Sequence, residues 1–313
     1  MSSSANTIKV FSLLGPTASG KTNLALQLAE HLPIEIISMD SAMVYRHMNI
    51  GTGKPDSAIL QRTPHHLIDI IEPDASYSAA KFRTDAVKLI HAIHARGKVV
   101  LIVGGTMLYF KALLMGLHDL PKANAAIRQK LAQQLKDKSL AYLYDQLKIS
   151  DPPTAARLHV NDKQRILRAL EVYQLTGKPL SEHLQQPIST LPFKFFHFAL
   201  MPSVRLNLHQ RIEKRFTEML QLGFIDEVIS LRKHYSLNLD HPAMRAVGYR
   251  QIWQYLDGQF DKVTMIARAT AATRQLAKRQ LTWLRHFDAI TSLPMEAEDL
   301  RVQLLKRIEK VSG

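Results

Sequence analysis

The segment that most constrains the fold is GPTASGKT at residues 15–22. It fits G-x-x-x-x-G-K-[ST], a loop whose successive backbone N–H groups converge on a polyphosphate. Gly15 and Gly20 permit the turn, Lys21 adds a positive charge and Thr22 offers a hydroxyl to Mg²⁺. A strand precedes this loop and a helix follows it, so that the helix N-terminus faces the anion. The segment therefore predicts polyphosphate binding in an α/β chain.

The residues around this loop alternate between short apolar runs and amphipathic helical patterns. The apolar and β-branched runs predict buried strands, and leucines spaced by four predict helices. Alternating strands and helices of these lengths are typical of a parallel sheet covered on both faces. We predict strands at 8–14, 34–38, 65–71 and 98–103, and helices at 21–32, 78–97 and 104–116.

The pattern changes near Pro121. Residues 122–186 carry helical patterns with little strand signal, whereas residues 193–201 again have the pattern of a buried strand, and helices follow to the end. We therefore predict an α/β fold with a P-loop NTPase-like parallel-sheet core and an all-helical insertion. The predicted core is 1–120 together with 193–313, and the predicted insertion is 121–192.

The charge balance points to a large anionic partner. The 313 residues carry a formal net charge of +14 and the pI is about 9.9. This favours nucleic acid, with an acidic membrane surface or a merely solvated basic surface as alternatives. No apolar run reaches the length of a membrane helix, and the N-terminus lacks the pattern of an export signal. Because the chain has no cysteine, we expect neither disulfides nor thiolate metal sites, and a reducing cytoplasm as its setting.

The position of the acidic residues separates two chemistries. NTPases of this class usually hold Mg²⁺ with an acid at the end of a second strand. Here the strand 98–103 ends in Gly104, Gly105 and Thr106, and the acid, Asp40, follows the strand 34–38. Since parallel strands end at one edge, Asp40, Thr106 and the phosphate loop are expected to face one crevice. A turn residue or a helix cap is the alternative role for Asp40.

Several stretches carry a more specific signal in combination: GPTASGKT, DSAMVYRHMNIGTGKP, HHLIDIIEP with YSAAKF, VGGTMLYFKALLMGL, NDKQRILRALEVYQLTGKP, RIEKRFTEML and MRAVGYRQIWQYLDG. Together they resemble one family, the tRNA dimethylallyltransferases of the bacterial type, and the second, fourth and last stretches are the most specific. The resemblance covers residues 8 to 285. It implies a P-loop core with a helical insertion, and transfer of a dimethylallyl group from dimethylallyl diphosphate to N6 of the adenine 3′ of the anticodon. The implied tRNAs read codons that begin with U.

The resemblance also implies roles for single residues. The phosphate loop and Mg²⁺ stabilise a departing diphosphate, which removes the need for an acid on strand 98–103. Asp40 is the expected base for N6, Thr106 the expected substrate contact, and Arg215, preferred over Arg211, the expected diphosphate clamp. Thr22 is the expected metal ligand. The expected diphosphate-binding residues of the loop are Gly15, Pro16, Thr17, Ala18, Ser19, Gly20, Lys21 and Thr22.

The tRNA anticodon stem-loop must present a flipped adenine, so contacts to flanking nucleotides are expected. Basic residues repeat on one face of helical segments, with Leu276 and Trp283 on the opposite face of the helix that carries Arg274, and Tyr249 offers a surface for base stacking. The expected tRNA contacts are Asp40, Ser41, Ala42, Met43, Thr106, Arg128, Gln164, Arg165, Ile166, Leu167, Arg168, Arg245, Ala246, Val247, Gly248, Tyr249, Arg250, Arg274, Lys278 and Arg285.

Two other functions share these features. A nucleotide or metabolite kinase would use the same loop and would consume ATP. A non-catalytic RNA-binding ATPase would account for the charge but would leave Asp40 without a role. We expect a monomer with no obligate protein partner and no membrane association.

Overall fold

The computed structural model describes residues 7–186, 191–287 and 289–312, and its core is a six-stranded parallel sheet. Most strands are short runs of β-branched or aromatic residues, which suit a sheet buried on both faces. The strands are β1 Lys9–Leu14, β2 Ile34–Met39, β3 His65–His66, β4 Val99–Gly104, β5 Lys194–Met201 and β6 Ile290–Pro294. Their order across the sheet is β3-β2-β4-β1-β5-β6.

Helices supply the connections that parallel strands require. Serine, aspartate and asparagine side chains cap several of their N-termini, as Ser78 does for the helix that begins at Ala79. The helices are α1 Lys21–Ala29, α2 Ser57–Arg62, α3 Ala79–Ala95, α4 Met107–Met115, α5 Ala125–Asp137, α6 Leu140–Ser150, α7 Pro152–Arg157, α8 Lys163–Thr176, α9 Leu180–His183, α10 Arg205–Gln221, α11 Phe224–His234, α12 Tyr249–Leu256, α13 Lys262–Leu284 and α14 Leu300–Ser312. A short 3-10 helix, Ala243–Arg245, precedes α12.

The central strands bury side chains on both faces of the sheet. In β1, Val10 and Leu14 belong to one apolar cluster while Phe11 and Leu13 belong to the other. This alternation follows from the two-residue period of a strand. No helix among the described residues is long and apolar enough to span a bilayer.

The chain forms two compact units. One contains the residues up to Leu114 and those from Leu191 onward, and the other is Met115–Thr190. Among its described residues the second unit contains helices and connecting loops but no strand, and it has its own apolar core, which includes Leu131, Leu143 and Ile166.

The strand predictions need two corrections. The third strand was predicted over 65–71, but β3 ends at His66, because Leu67 and Asp69 adopt positive φ angles of 64° and 54° and turn the chain. Strand β6 was missed, because a five-residue edge strand that ends in proline has little apolar pattern. Residues 1–6, 187–190, 288 and 313, including part of the predicted insertion, lie outside the described residues.

Candidate active site

The carboxyl ends of β1, β2 and β4 meet at one point of the sheet edge. Gly104, the last residue of β4, pairs with Leu14 on one side and with Met39 on the other. The phosphate loop, Asp40 and Thr106 therefore all leave the sheet from adjacent positions. A cavity of about 1240 Å³ opens there, and the lining includes residues from all three segments.

The phosphate loop is closed by its own hydrogen bonds. The Ser19 N–H donates to the Pro16 carbonyl over 3.3 Å, and Lys21 Nζ donates to the same carbonyl over 3.1 Å. Ala18 has a φ of 61°, a strained value for a residue with a side chain. The loop residues that line the cavity are Thr17, Ala18, Gly20, Lys21 and Thr22. Ser19 instead lines a neighbouring cavity of about 450 Å³, where its buried Oγ has no hydrogen-bond partner among the described residues.

Two cationic side chains, Lys21 and Arg215, share the cavity with the carboxylate of Asp40. Burial lowers the pKa of Lys21 to about 8, while the nearby Asp40 carboxylate acts to raise it and Arg215 to lower it further. Burial also lowers the pKa of Arg215, against the opposing effect of Asp40. Asp40, Lys21 and Arg215 all line the same cavity, so one carboxylate and two cations share it with the anion-binding loop.

Arg215 and Arg211 both face this region from α10. Arg215 Nη2 donates to the Thr52 carbonyl over 3.1 Å, and a Cβ on Gly53 would lie 2.2 Å from the same nitrogen. Only glycine at position 53 leaves room for that guanidinium. Arg211 lies against the phosphate loop, with Nη1 3.8 Å from the position of a Cβ on Gly20. The structure thus brings both arginines to the cavity rather than one of them.

The loop that holds Arg215 is fixed in turn by Glu227. Its carboxylate accepts hydrogen bonds from the N–H groups of Asn49, Ile50 and Gly51 over 2.9, 2.7 and 3.2 Å. The Tyr249 hydroxyl donates to the same carboxylate over 2.5 Å. Burial raises the pKa of Tyr249, and Glu227 adds to that shift.

The prediction that Tyr249 offers a stacking surface is wrong. Its ring is fully buried and packs edge-on against Phe224, with ring centroids 4.8 Å apart. Gly248 is also buried, while Arg250 is exposed and donates to the Leu239 carbonyl over 3.1 Å. The neighbouring residues Arg245, Ala246 and Val247 line the cavity.

Asp40 and Thr106 are held by hydrogen bonds with the residues that follow β2. Asp40 Oδ1 accepts from the N–H groups of Ala42 and Met43 over 2.8 and 3.3 Å. Thr106 Oγ1 accepts from the Ser41 N–H over 3.0 Å and donates to Ser41 Oγ over 3.3 Å. These contacts join the end of β2 to the end of β4, and all five residues line the cavity.

Helix α13 lines the cavity with the face opposite the predicted basic stripe. Its cavity-lining residues are Thr273, Leu276, Arg279, Gln280 and Trp283, and Leu276 and Trp283 were predicted on that opposite face. Of the predicted basic stripe, Arg274 pairs with Glu213 of α10, whereas Lys278 and Arg285 are exposed. Gln280 and Arg279 were missed. A polar residue between the buried Ala277 and Leu281 was the available signal for Gln280.

In the insertion, two predicted arginines meet a buried carboxylate. Arg128 Nε and Arg168 Nη1 each lie 2.9 Å from Glu171, which is 2% exposed. Burial alone would raise the pKa of Glu171, but hydrogen bonds from Arg128, the Asn124 N–H and Arg168 outweigh it and leave the pKa lowered. These three side chains hold α5 against α8.

The remaining predicted residues of this helix divide by burial. Gln164 and Arg165 are exposed, and Leu167 is half-buried. Ile166 is fully buried in the core of the insertion, so its side chain is not available for the predicted contact with RNA.

The donor set for a metal ion is sparse. No group of three His, Cys, Asp or Glu side chains that could hold a metal ion occurs among the described residues. Thr22 and Asp40 line the same cavity and supply one hydroxyl and one carboxylate. This fits Mg²⁺, which binds through few protein ligands together with substrate phosphates and water.

The chain is similar in sequence to known proteins over most of its length. Residues 43–287 match the sequence model described as IPP transferase. Over 281 residues, 89% of this chain and 90% of the other, the chain is 59% identical to a tRNA dimethylallyltransferase of Neisseria meningitidis. The chain belongs to the tRNA dimethylallyltransferase family. A second family member, from Thiobacillus denitrificans, is 55% identical over 92% of both chains.

Solved structures of the family agree in fold. The full-length tRNA isopentenylpyrophosphate transferase of Bacillus halodurans matches with a TM-score of 0.71 at 34% identity over 97% of both chains. A eukaryotic dimethylallyltransferase acting on tRNA matches with a TM-score of 0.82 at 28% identity over 97% of this chain and 79% of that one. Family membership makes the chain a transferase and decides against the kinase and the non-catalytic ATPase.

Proposed function

We propose that this chain transfers the dimethylallyl group from dimethylallyl diphosphate to N6 of the adenine 3′ of the anticodon, in tRNAs that read codons beginning with U, and releases diphosphate. The observation that carries the proposal is the position of Asp40 beside Lys21 and Arg215 in one cavity. A prenyl transfer needs this pairing, because the diphosphate that leaves C1 must be stabilised while the N6 amine that attacks C1 loses a proton.

The cationic side of the cavity serves the donor. Lys21 of the phosphate loop and Arg211 and Arg215 of α10 line the cavity. They stabilise the negative charge that grows on the diphosphate as the carbon–oxygen bond breaks. Since Arg215 is held at Thr52 and Arg211 lies at Gly20, two guanidinium groups are available for one diphosphate. Thr22, with Asp40 nearby, would hold Mg²⁺, which when bound neutralises part of the diphosphate charge.

The acidic side serves the acceptor. The N6 amine of adenine attacks C1 of the donor, a carbon–nitrogen bond forms, and the electron pair of the broken bond leaves with the diphosphate. Asp40 takes the proton that N6 loses. The N–H groups of Ala42 and Met43 fix the carboxylate through Oδ1 and leave Oδ2 for this proton. Thr106, tied to Ser41, is the proposed contact to the base.

The size of the cavity fits two substrates. Its volume of about 1240 Å³ exceeds the range of roughly 300–1,000 Å³ that is usual for one ligand. A base in a stacked anticodon loop cannot reach Asp40, so the adenine must flip out, at a cost of a few kcal/mol. Contacts to neighbouring nucleotides offset that cost.

The proposed tRNA contacts are chosen by whether each side chain lines the cavity or is accessible at the surface. Ser41, Met43, Arg245, Ala246 and Val247 line the cavity and are proposed to contact the flipped nucleotide and its neighbours. No side-chain contact is proposed for Ile166 or Tyr249, which are buried. Arg128 and Arg168 are paired with the buried Glu171, so no direct contact is proposed for them. The other proposed tRNA contacts are Gln164, Arg165, Leu167, Arg250, Arg274, Lys278 and Arg285. We further propose that the protein acts in the cytoplasm without an obligate protein partner.

The decisive experiment is a transfer assay. Purified protein is incubated with labelled dimethylallyl diphosphate, Mg²⁺ and unmodified tRNA, and the nucleosides are analysed by mass spectrometry. We expect a dimethylallyl group on N6 of the adenine 3′ of the anticodon, with no consumption of added ATP. Phosphorylation of a substrate from ATP, without prenyl transfer, would contradict the proposal.

A further inference from the structure

Gln280 uses both ends of its side-chain amide on backbone groups of two different loops. Its Nε2 donates to the Gly105 carbonyl over 2.8 Å, and its Oε1 accepts from the Thr17 N–H over 2.9 Å. The residue is 9% exposed, on a face of α13 that is otherwise apolar at Ala277 and Leu281. A buried amide with both functions satisfied is costly to disturb.

The two loops are the ones that carry the reacting groups. Thr17 lies in the phosphate loop after β1, and Gly105 immediately precedes Thr106 after β4. The pairing of β1 with β4 ends at Leu14 and Gly104, so the ladder no longer fixes the spacing of the loops beyond that point. Gln280 bridges them where the sheet stops.

The local packing leaves room for this bridge. A Cβ on Gly105 would lie 2.4 Å from Gln280 Nε2 and 2.9 Å from the Gly15 carbonyl oxygen. Glycine at position 105 therefore allows the backbones of two loops and one side-chain amide to meet. The Thr17 N–H donates to Gln280, so the backbone amide of Thr17 helps to hold the phosphate loop in place.

We propose that Gln280 is a positioning residue, which keeps the diphosphate loop and the Thr106 segment at the spacing that transfer requires. The inference rests on the proposed function, since the spacing matters only if a donor on one loop reacts with an acceptor beside the other. Gln280 acts through Thr17 and Gly105 and touches neither reacting atom in this role.

Two substitutions separate positioning from folding. Gln280→Met keeps length and removes both hydrogen bonds. Gln280→Glu keeps the shape of the side chain and the oxygen that accepts from the Thr17 N–H. When the carboxyl is ionised, its second oxygen has no hydrogen to donate and repels the Gly105 carbonyl oxygen. The protonated carboxyl restores an O–H donor, and burial raises the pKa of such a carboxyl into an accessible range. Gln275→Met, at an exposed position of the same helix, is the matched control.

The experiment measures single-turnover transfer, tRNA affinity and the rise in melting temperature caused by inorganic pyrophosphate. For Gln280→Met we expect transfer to slow by about 10- to 100-fold, because small misplacements of reacting groups have effects of this size. Its tRNA affinity should stay within about twofold of the wild type, and Gln275→Met should behave as the wild type. The ratio of the Gln280→Glu rate to the wild-type rate should rise as the pH falls.

The proposal is overturned if Gln280→Met transfers within about twofold of the wild-type rate. It is also overturned if that variant fails to fold while Gln280→Glu shows a rate ratio that does not change with pH, since both results indicate a purely structural role. If the wild type itself transfers no prenyl group, the proposed function fails instead, and pyrophosphate stabilisation still reports on the loop.

Discussion

The core cavity and the helical insertion both gather arginines but give them different partners. In the insertion, Arg128 and Arg168 converge on the carboxylate of Glu171, which is buried. In the cavity, Arg215 donates to a backbone carbonyl and shares its surroundings with Lys21, so positive charge is left for a ligand. The first arrangement pairs two cations with one buried carboxylate and joins two helices, whereas the second keeps charge available for an anion.

The difference shows that a basic motif alone does not indicate a ligand contact. The motifs around Arg168 and Arg215 look alike in sequence, because each is a helical segment with repeated arginines. What distinguishes them is the acidic partner that the fold supplies. Glu171 lies three residues after Arg168 and turns inward on the same helix, where it also reaches Arg128 on a neighbouring helix.

The largest expected effect on the transfer rate is in the core cavity. Asp40→Asn keeps the hydrogen bonds from Ala42 and Met43 but removes the proton acceptor. We expect the transfer rate to fall by about 10³-fold, in the range that general bases contribute, with unchanged tRNA affinity. Single-turnover transfer at saturating donor measures this. A variant that turns over at the wild-type rate would remove Asp40 from its proposed role.

The next effect concerns the charge held for the donor. Lys21→Met should weaken donor binding and slow transfer by about 10²-fold, as removal of one electrostatic stabiliser does elsewhere. Burial lowers the pKa of Lys21 to about 8, so the amine is protonated below that pH and neutral above it. The wild-type kcat/KM for the donor should therefore fall as the pH rises through about 8.

The Lys21→Met variant is the control for this pH profile. It should show no fall of kcat/KM near pH 8, because the titrating amine is gone. A fall of equal size in the variant would assign the profile to another group.

A smaller effect is expected in the insertion, on stability rather than on chemistry. Glu171→Gln leaves two arginines without their common carboxylate and should lower the free energy of unfolding by about 2 kcal/mol. The transfer rate at low temperature should stay near the wild-type value. Urea unfolding followed by circular dichroism measures the loss, with Glu182→Gln, at a less buried position of the insertion, as the control.

If Glu171→Gln instead reduces transfer strongly without loss of stability, then the distinction between the two regions is wrong. The insertion arginines would then act on the substrate directly.

The smallest effect distinguishes two members of one basic stripe. Lys278 is exposed, whereas Arg274 is paired with Glu213. Lys278→Ala should reduce the slope of log affinity for tRNA against log salt concentration by about one unit, and Arg274→Ala by less. Filter binding over a range of salt concentrations measures both slopes. Unchanged slopes in both variants would show that this face of α13 lies outside the tRNA interface.

The sequence predicted the elements with strong local signals. The glycines and Lys21 of the phosphate loop and the apolar runs of the central strands each have a local physical cause, and the structure has them where they were predicted. The strand-end argument also placed Asp40 and Thr106 at one crevice, because parallel strands share an edge. Local signals failed at β6 and after His66, where the pattern was short or a backbone turn intervened.

The sequence by itself determined a parallel α/β sheet, a loop for phosphate and a strand-end acid, since these depend on residue type and on neighbours in the chain. Only the tertiary structure decided which face of α13 meets the cavity, that Gln280 joins two loops, that Tyr249 is buried and that Glu171 pairs with two arginines. The physical reason is distance along the chain. Partners such as Thr17 and Gln280 meet only after the sheet has formed, and no local pattern records which buried polar group will find which partner.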